Sequence, residues 1–189
     1  MRIPSAAMNF STATTAPKRQ KGLTLIELLT VLSILGVLAG LAAPSFTSLF
    51  ERWQTNKAAS TLESALFYAR SESIRRGGGL VLIRQSSGEN CAETSKADWR
   101  CGWVLASTSD KTTVLHASDQ TFPNLVIDAS SAGDEIHLDR WGGMSLNNTS
   151  NSFSFALHHK NKSANDGKNL CIASGGMARQ IAGSSSCSN

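Results

Sequence analysis

The stretch 21-KGLTLIELLTVLSILGVLAGLAAP-44 decides the fold of this chain. Between Leu23 and Phe50 the only ionisable side chain is Glu27. The 21 residues of Leu23–Ala43, at a helical rise of about 1.5 Å each, span roughly the 30 Å hydrocarbon core of a bilayer. The sequence therefore predicts a transmembrane helix over Leu23–Ala43.

The 22 residues before Leu23 differ from the apolar run Leu23–Ala43 in both charge and polarity. They contain no acid, and they hold four of the 18 basic residues, which are Arg2, Lys18, Arg19 and Lys21. Without them, 14 basic residues face 14 acidic ones. A secretory signal places its apolar region before the cut, and here the polar segment comes first. We therefore expect any cut to precede the apolar run, with the basic cluster on the cytoplasmic side.

The junction Lys21–Glu27 resembles the processing site of type IV prepilins and type II secretion pseudopilins. The resemblance implies that a membrane-embedded prepilin peptidase cuts after Gly22 and N-methylates Leu23, and that Glu27 is the acidic position of the motif. At this junction the chain shows one mild departure from the family, a leucine where phenylalanine is most common. Residues 1–22 are thus expected to be a cleaved leader.

Glu27 is expected to lie inside the membrane zone, where an ionised carboxylate costs roughly 2–3 kcal/mol or more. Its predicted partner is the new amine of Leu23, on the same chain or on a neighbour. The family resemblance favours the neighbour, so that the pair sets the register of assembly. The alternative is an acid whose carboxylate simply reaches the near interface.

Pro44 is predicted to kink the helix without ending it. From Ser45 to Arg76, apolar and small residues recur at helical spacing, while charged residues occupy other faces. The predicted inner face carries Trp53, Leu62, Leu66, Ala69 and Ser73. Three glycines, Gly77–Gly79, then end the helix, as is typical of a C-cap. The prediction is one kinked helix of about 54 residues, with residues 44–76 as its amphipathic continuation.

After Gly79 the pattern becomes that of short strands separated by Ser, Asn, Asp and Gly. We predict strands at Leu80–Arg84, Gly102–Ser107, Thr113–Ala117, Leu125–Asp128, Glu135–Leu138, Ser152–Leu157 and Asn169–Ala173, with polar loops at Ser145–Ser152 and Lys160–Lys168. The expected fold class is α+β, with the long helix packed against an antiparallel sheet or two-sheet head over residues 77–189.

Four cysteines, Cys91, Cys101, Cys171 and Cys187, lie in this head and permit three pairings. The simplest is local, Cys91 with Cys101 and Cys171 with Cys187, and disulfides favour an oxidising compartment. The alternative is a zinc site with His158 and His159. The cysteine spacings do not match those of zinc knuckles, and we predict neither a metal nor a cofactor.

Within the pilin superfamily, the head resembles the GspH/FimT type. The resemblance rests on Trp99–Val104, Asp139–Gly143 and Leu170–Arg179, the last resembling a C-terminal glycine-arginine turn. The tryptophans are predicted to pack in the sheets, and the glycines to form turns. The chain carries no P-loop, HExxH or GxSxG motif, so no enzymatic role is predicted.

The resemblance implies a minor pilin or pseudopilin of the inner membrane with its head in the periplasm, whose partners are other pilin subunits, the prepilin peptidase and membrane lipid. The alternative is DNA uptake, because some FimT-type pilins bind DNA through a Gly-Arg-x-Arg turn. Here Gly176–Arg179 keeps only the second arginine. The candidate DNA-binding residues are Lys160, Lys162, Lys168 and Arg179.

Overall fold

The computed structural model of the protein describes residues 22–88, 90–118, 120–149 and 152–187, with the backbone alone for 41–45. The chain divides into two compact units, Met1–Ala43 and Pro44–Asn189. The predicted leader lies outside the described residues except for Gly22. The predicted α+β class is confirmed, because a long helix packs onto antiparallel sheets.

Helix α1 spans Leu25–Arg76 and contains 52 residues. The residue before it, Thr24, acts as the N-cap, because its Oγ1 accepts a hydrogen bond from the Glu27 backbone N–H at 3.3 Å. The helix ends at Gly77 and Gly78, which take positive φ values of 79° and 98°. The Gly78 N–H donates to the Ser73 carbonyl at 2.8 Å. The glycine stop is therefore confirmed, whereas the kink at Pro44 stays a prediction.

In the first unit, every residue from Leu23 to Gly40 is exposed. Within the part of the chain that the structure describes, no helix is both long enough and apolar enough to cross a membrane.

The second unit contains the rest of α1 and the strands. The described strands are β1 Leu80–Arg84, β2 Ser87–Gly88, β3 Cys91–Ala92, β4 Trp103–Ser107, β5 Val114–Ala117, β6 Leu125–Ala129, β7 Glu135–Leu138, β8 Met144–Leu146, β9 Phe153–His159, β10 Lys168–Ile172 and β11 Ala178–Ala182. They form a five-stranded sheet of order β5-β4-β1-β7-β8, a four-stranded sheet of order β11-β10-β9-β6 and the small pair β2-β3. A short 3₁₀ helix, Ala164–Asp166, precedes β10.

Four of the described strands were not predicted, namely the short pair β2 and β3 and the two strands β8 and β11. β8 occupies Met144–Leu146, so the polar loop predicted from Ser145 begins two residues late. β11 occupies Ala178–Ala182, where no strand was predicted. Both are short or mixed in polarity, and their strand character comes from pairing with β7 and β10.

The core of the second unit lies between α1 and the two sheets. The helix contributes Leu62, Leu66 and Ala69, which are fully buried as predicted, together with Ala58 and Ala59. Trp53 does not belong to this face, because 54% of its surface is exposed. Its ring stacks on Phe50 at 5.7 Å and lies 5.5 Å from the Lys57 ammonium. The prediction was wrong for Trp53 because the burial of the helix begins only at Thr55.

The sheets fill the core with aromatic side chains. Trp99 and Trp103 are at most 1% exposed, so their predicted packing is confirmed. Trp99 meets Phe155 edge-on at 5.3 Å, and Trp103 stacks on Phe122 at 6.1 Å. Such ring pairs add to the stabilisation from burial. Every core residue of this cluster lies between Ala58 and Ala178, so residues 44–189 contain a complete core.

Two disulfides tie loops to this core. Cys91 pairs with Cys101, and Cys171 pairs with Cys187, which is the local arrangement and leaves no thiolate for zinc. The second disulfide holds the C-terminal segment on β10. The Asn169 side-chain amide reinforces it by donating to the carbonyls of Gly183 at 3.2 Å and Ser185 at 2.8 Å.

Candidate functional site

The N-terminal motif lies at an open helix start. Gly22 and Leu23 precede the first helical residue, and Leu23 is 75% exposed. Gly22 is exposed too, and a Cβ placed on it would meet nothing within 4 Å among the described residues. Glu27 is exposed in the first turn of α1, where the helix dipole favours a carboxylate. The Glu27 carboxylate thus lies about one helical turn beyond Leu23, and both residues are exposed.

The four candidate DNA-binding cations do not lie together. Arg179 on β11 is opposite Cys171 on β10, which is opposite Ser154 on β9. Lys168 is three residues from Cys171 and is opposite Leu157. Because side chains alternate along a strand, Lys168 lies on the core face of this sheet and Arg179 lies on the outer face.

Lys160 and Lys162 lie at the other end of the same sheet. Lys160 comes directly after β9 and six residues after Ser154, which corresponds to roughly 20 Å at the rise of a strand. The Lys162 ammonium lies 3.6 Å from the Glu51 carboxylate on α1. Glu51 also lies 3.7 Å from Nδ1 of His159. The register thus separates both lysines from Arg179, and Glu51 offsets the charge of one of them.

The predicted glycine-arginine turn ends before its arginine. The turn is Ala173–Met177, closed by Gly176 N–H donating to the Ala173 carbonyl at 2.8 Å and Ala173 N–H donating to the Met177 carbonyl at 2.9 Å. Arg179 lies in β11, exposed. Met177, which stands where the resemblance implies a first arginine, is 68% exposed.

This turn takes part in a junction of three backbones, formed by the end of α1, the β7–β8 turn Asp139–Gly143 and the β10–β11 turn. Ser73 Oγ donates to the Asp139 carbonyl at 2.9 Å, and Arg70 Nη1 donates to the Gly176 carbonyl at 3.1 Å. A Cβ on Gly176 would lie 2.0 Å from the Gly142 carbonyl oxygen. The two turns therefore approach each other too closely for a side chain to fit at Gly176.

Trp141 lies at the tip of the β7–β8 turn. One oxygen of the Asp139 carboxylate accepts from the backbone N–H groups of Trp141 and Gly143, each at 2.8 Å. The Arg140 guanidinium lies 5.7 Å from the Trp141 ring centre. Trp141 is nevertheless 79% exposed, so the prediction that it packs in a sheet was wrong. The signal was its place between an aspartate and two glycines, a pattern typical of a turn.

Glu72 neutralises part of the positive charge at the end of α1. Its carboxylate accepts from Arg75, at 2.8 Å from Nε and 2.5 Å from Nη2, and from Arg76 Nε at 2.5 Å. Hydrogen bonds from Arg75, and then from Arg76, lower the pKa of Glu72 from 4.5 to about 2. The folded chain therefore holds this carboxylate ionised below its ordinary range.

We expect Glu72→Gln to lower the unfolding free energy of residues 44–189 at neutral pH but not near pH 2. Because the pKa of Glu72 is lower in the folded chain, its contribution to the free energy of unfolding is fully present above about pH 4.5. That contribution is lost as the pH falls through about 2. Denaturant unfolding of both proteins across this range measures the difference. A difference that stays constant down to pH 2 would contradict the expectation.

Two family models match separate parts of this chain. A sequence model of the family described as type II transport protein GspH matches residues 58–176, more than half of the chain. A second model, of the prokaryotic N-terminal methylation motif, matches residues 17–43. Among curated proteins, no sequence matches significantly.

Solved structures resemble the fold. The type IV minor pilin FimU of Pseudomonas aeruginosa strain PAO1 is similar in two crystal forms. The form in space group P65 is 20% identical with a TM-score of 0.53, covering 69% of this chain and 94% of that one. The form in P21 is 21% identical with a TM-score of 0.56, covering 72% and 95%. The minor pseudopilin EpsH of the Vibrio cholerae type 2 secretion system is 12% identical with a TM-score of 0.48, covering 71% and 99%.

Proposed function

The chain belongs to the GspH family of minor pilins and pseudopilins, and we propose that it is a structural subunit that is cut after Gly22 and assembled through α1 into a pilus or pseudopilus. The observation that carries the proposal is the methylation motif at residues 17–43, followed in the same chain by the GspH match at 58–176. The motif spans the exposed bond between Gly22 and Leu23 and the start of the helix.

We propose that residues 1–22 are the leader and that prepilin peptidase leaves Leu23 as a methylated terminus. Leu23–Ala43 would then hold the subunit in the inner membrane, a role that rests on the apolar sequence with its single carboxylate at Glu27. In the assembled fibre, Glu27 would neutralise the terminal amine of a neighbouring subunit, because an ionised group in lipid needs a partner.

Residues 44–76 would continue the helix under the head, and residues 77–189 would form the head in the periplasm. The disulfides of the head support that compartment, since disulfides persist where the environment is oxidising. The proposed partners are other pilin-like subunits, the peptidase and the membrane lipid. The proposal covers a type IV pilus and a type II secretion pseudopilus, because the same motif serves both.

Mass spectrometry of the chain extracted from membranes tests the processing. We expect a mature protein that begins at Leu23 and carries one additional methyl group. As a control, the same chain from cells lacking prepilin peptidase should keep residues 1–22. A chain that retains these residues in cells with an active peptidase, or that begins beyond Ala43, would contradict the proposal.

The placement of the candidate cations does not favour DNA uptake as a second function. Arg179 lies on the outer face of its sheet, Lys168 lies on the other face, and Lys160 lies roughly 20 Å away in the strand direction. These described cations therefore do not form one phosphate-binding groove. DNA binding stays a prediction, which a gel shift of residues 44–189 with duplex DNA would test.

A further inference from the structure

We propose that the head docks the head of a different pilin-like subunit through one exposed surface, the Trp141 platform. This surface is defined by Trp141, Met177 and Ile74, framed by Arg70 and Arg140. The inference rests on the proposed function, because it names a partner within the same fibre, and it adds a contact outside the N-terminal helix.

The three apolar side chains share the junction of three backbones. Trp141 is 79% exposed, Met177 68% and Ile74 50%. Trp141 precedes Gly142 in the chain, and Met177 follows Gly176, the glycine that approaches Gly142 most closely. Ile74 lies beside the same place, because its Cδ1 would be 2.9 Å from a Cβ on Gly142. Tryptophan, methionine and arginine are enriched in protein interfaces, and tryptophan and arginine recur among the residues that dominate binding.

The platform is held rigidly, which distinguishes it from an incidental exposed side chain. Two N–H bonds to Asp139 fix the backbone around Trp141, and Ser73 fixes the Asp139 carbonyl. Arg140 lies over the Trp141 ring, and the Arg70 guanidinium is fixed on the Gly176 carbonyl. A side chain that is already ordered loses little entropy on binding. The fold thus presents a preorganised anchor.

The charges of the platform indicate the chemistry of its partner. The end of α1 brings Arg70, Arg75 and Arg76 to the platform, and the β7–β8 turn brings Arg140. The carboxylates of Glu72 and Asp139 lie beside them. Glu72 is engaged by Arg75 and Arg76, and Asp139 by backbone N–H groups. Within the described ranges, neither Arg70 nor Arg140 forms an ion pair. The platform therefore fits an apolar pocket bordered by carboxylates.

A different subunit fits this surface better than a second copy of the chain. A two-fold contact between copies would place the same patch on itself and bring the guanidinium groups of both copies together. Like charges placed opposite each other cost several kcal/mol. The platform also lies at the Arg76 end of the 44–76 helix segment, about 50 Å from Pro44 at the helical rise, where a neighbouring head can be reached.

Site-specific photo-cross-linking in the full chain tests the inference. A benzoylphenylalanine at position 141 is compared with one at Val114, which is 51% exposed on the edge strand β5 and lies outside the platform. In cells that assemble the fibre, we expect position 141 to give an adduct that mass spectrometry identifies as another pilin-like subunit. The Val114 control should give little or none of it.

The possible outcomes separate this inference from the proposed function. If the chain is present in purified fibres and position 141 gives no adduct, or gives one only with a second copy, the platform inference is wrong and the function stands. If the chain is absent from the fibres, both are wrong. An adduct with equal yield at position 114 would also overturn the platform.

The affinity of the identified subunit's head for the full chain then measures how much Trp141 contributes to binding. Trp141→Ala should weaken the affinity by roughly 30-fold or more, as expected for a dominant interface residue, while Trp141→Phe should retain part of it. Arg140→Glu should slow association most strongly at low salt. An unchanged affinity for Trp141→Ala would overturn the inference. Because Trp141 is largely exposed, we expect the Trp141→Ala variant to have the same thermal unfolding midpoint as the unsubstituted chain.

Discussion

Phe155→Ala is expected to lower the free energy of unfolding of residues 44–189 by about 3–5 kcal/mol, the usual cost of removing a buried phenylalanine. Phe155 is fully buried on β9, with its ring 5.3 Å from Trp99 and 5.9 Å from Phe153. Its backbone lies between Leu170 of β10 and Ala129 of β6. The cavity left by the ring would therefore open at the centre of the four-stranded sheet.

Denaturant unfolding of the head measures this loss, and Phe67→Ala is the matched control. Phe67 lies on α1 with 47% of its surface exposed, so the same substitution there should change the stability by only about 0.5 kcal/mol. Equal losses for the two variants would contradict the assignment of Phe155 to the core.

Gly176→Ala is expected to destabilise the head by about 3 kcal/mol or more. Gly176 has φ +72°, a conformation that strains an alanine, and its Cβ would lie 2.0 Å from the Gly142 carbonyl oxygen. Backbone strain of this kind costs about 1–3 kcal/mol, and the clash adds to it because the two turns would have to separate.

Its neighbour supplies the control, since Gly175→Ala should be nearly neutral. A Cβ on Gly175 would meet nothing within 4 Å, and its φ is not in the positive range. Unfolding of both variants, measured side by side, checks the prediction. Similar stabilities for the two would show that the turns are not in close contact.

The parts of the fold that the sequence predicted well depend on local patterns. Gly77–Gly79 end α1 because glycine takes positive φ without strain. The buried face of Leu62, Leu66 and Ala69 follows from helical spacing alone. β11, by contrast, mixes polar and apolar residues, and its strand conformation follows from pairing with β10, which local sequence does not encode.

The functional surfaces were harder to predict, because they depend on strand register and on which side chains other parts of the fold bury. Lys168 and Arg179 are both strand residues, yet the pairing through Cys171 places them on opposite faces. The four tryptophans look alike in sequence, but Trp99 and Trp103 are buried against Phe155 and Phe122, whereas Trp53 and Trp141 are exposed. Only the assembled fold decides which aromatic side chains meet solvent.

The two cystine bridges have a consequence for how the polypeptide matures. Their partners are 10 and 16 residues apart, whereas Cys101 and Cys171 are separated by a long segment. Nearby thiols encounter each other more often than distant ones, because the entropy lost on closing a loop grows with its length. Each bridge therefore joins the thiols that meet soonest, and oxidation favours the native connectivity even before the sheets assemble.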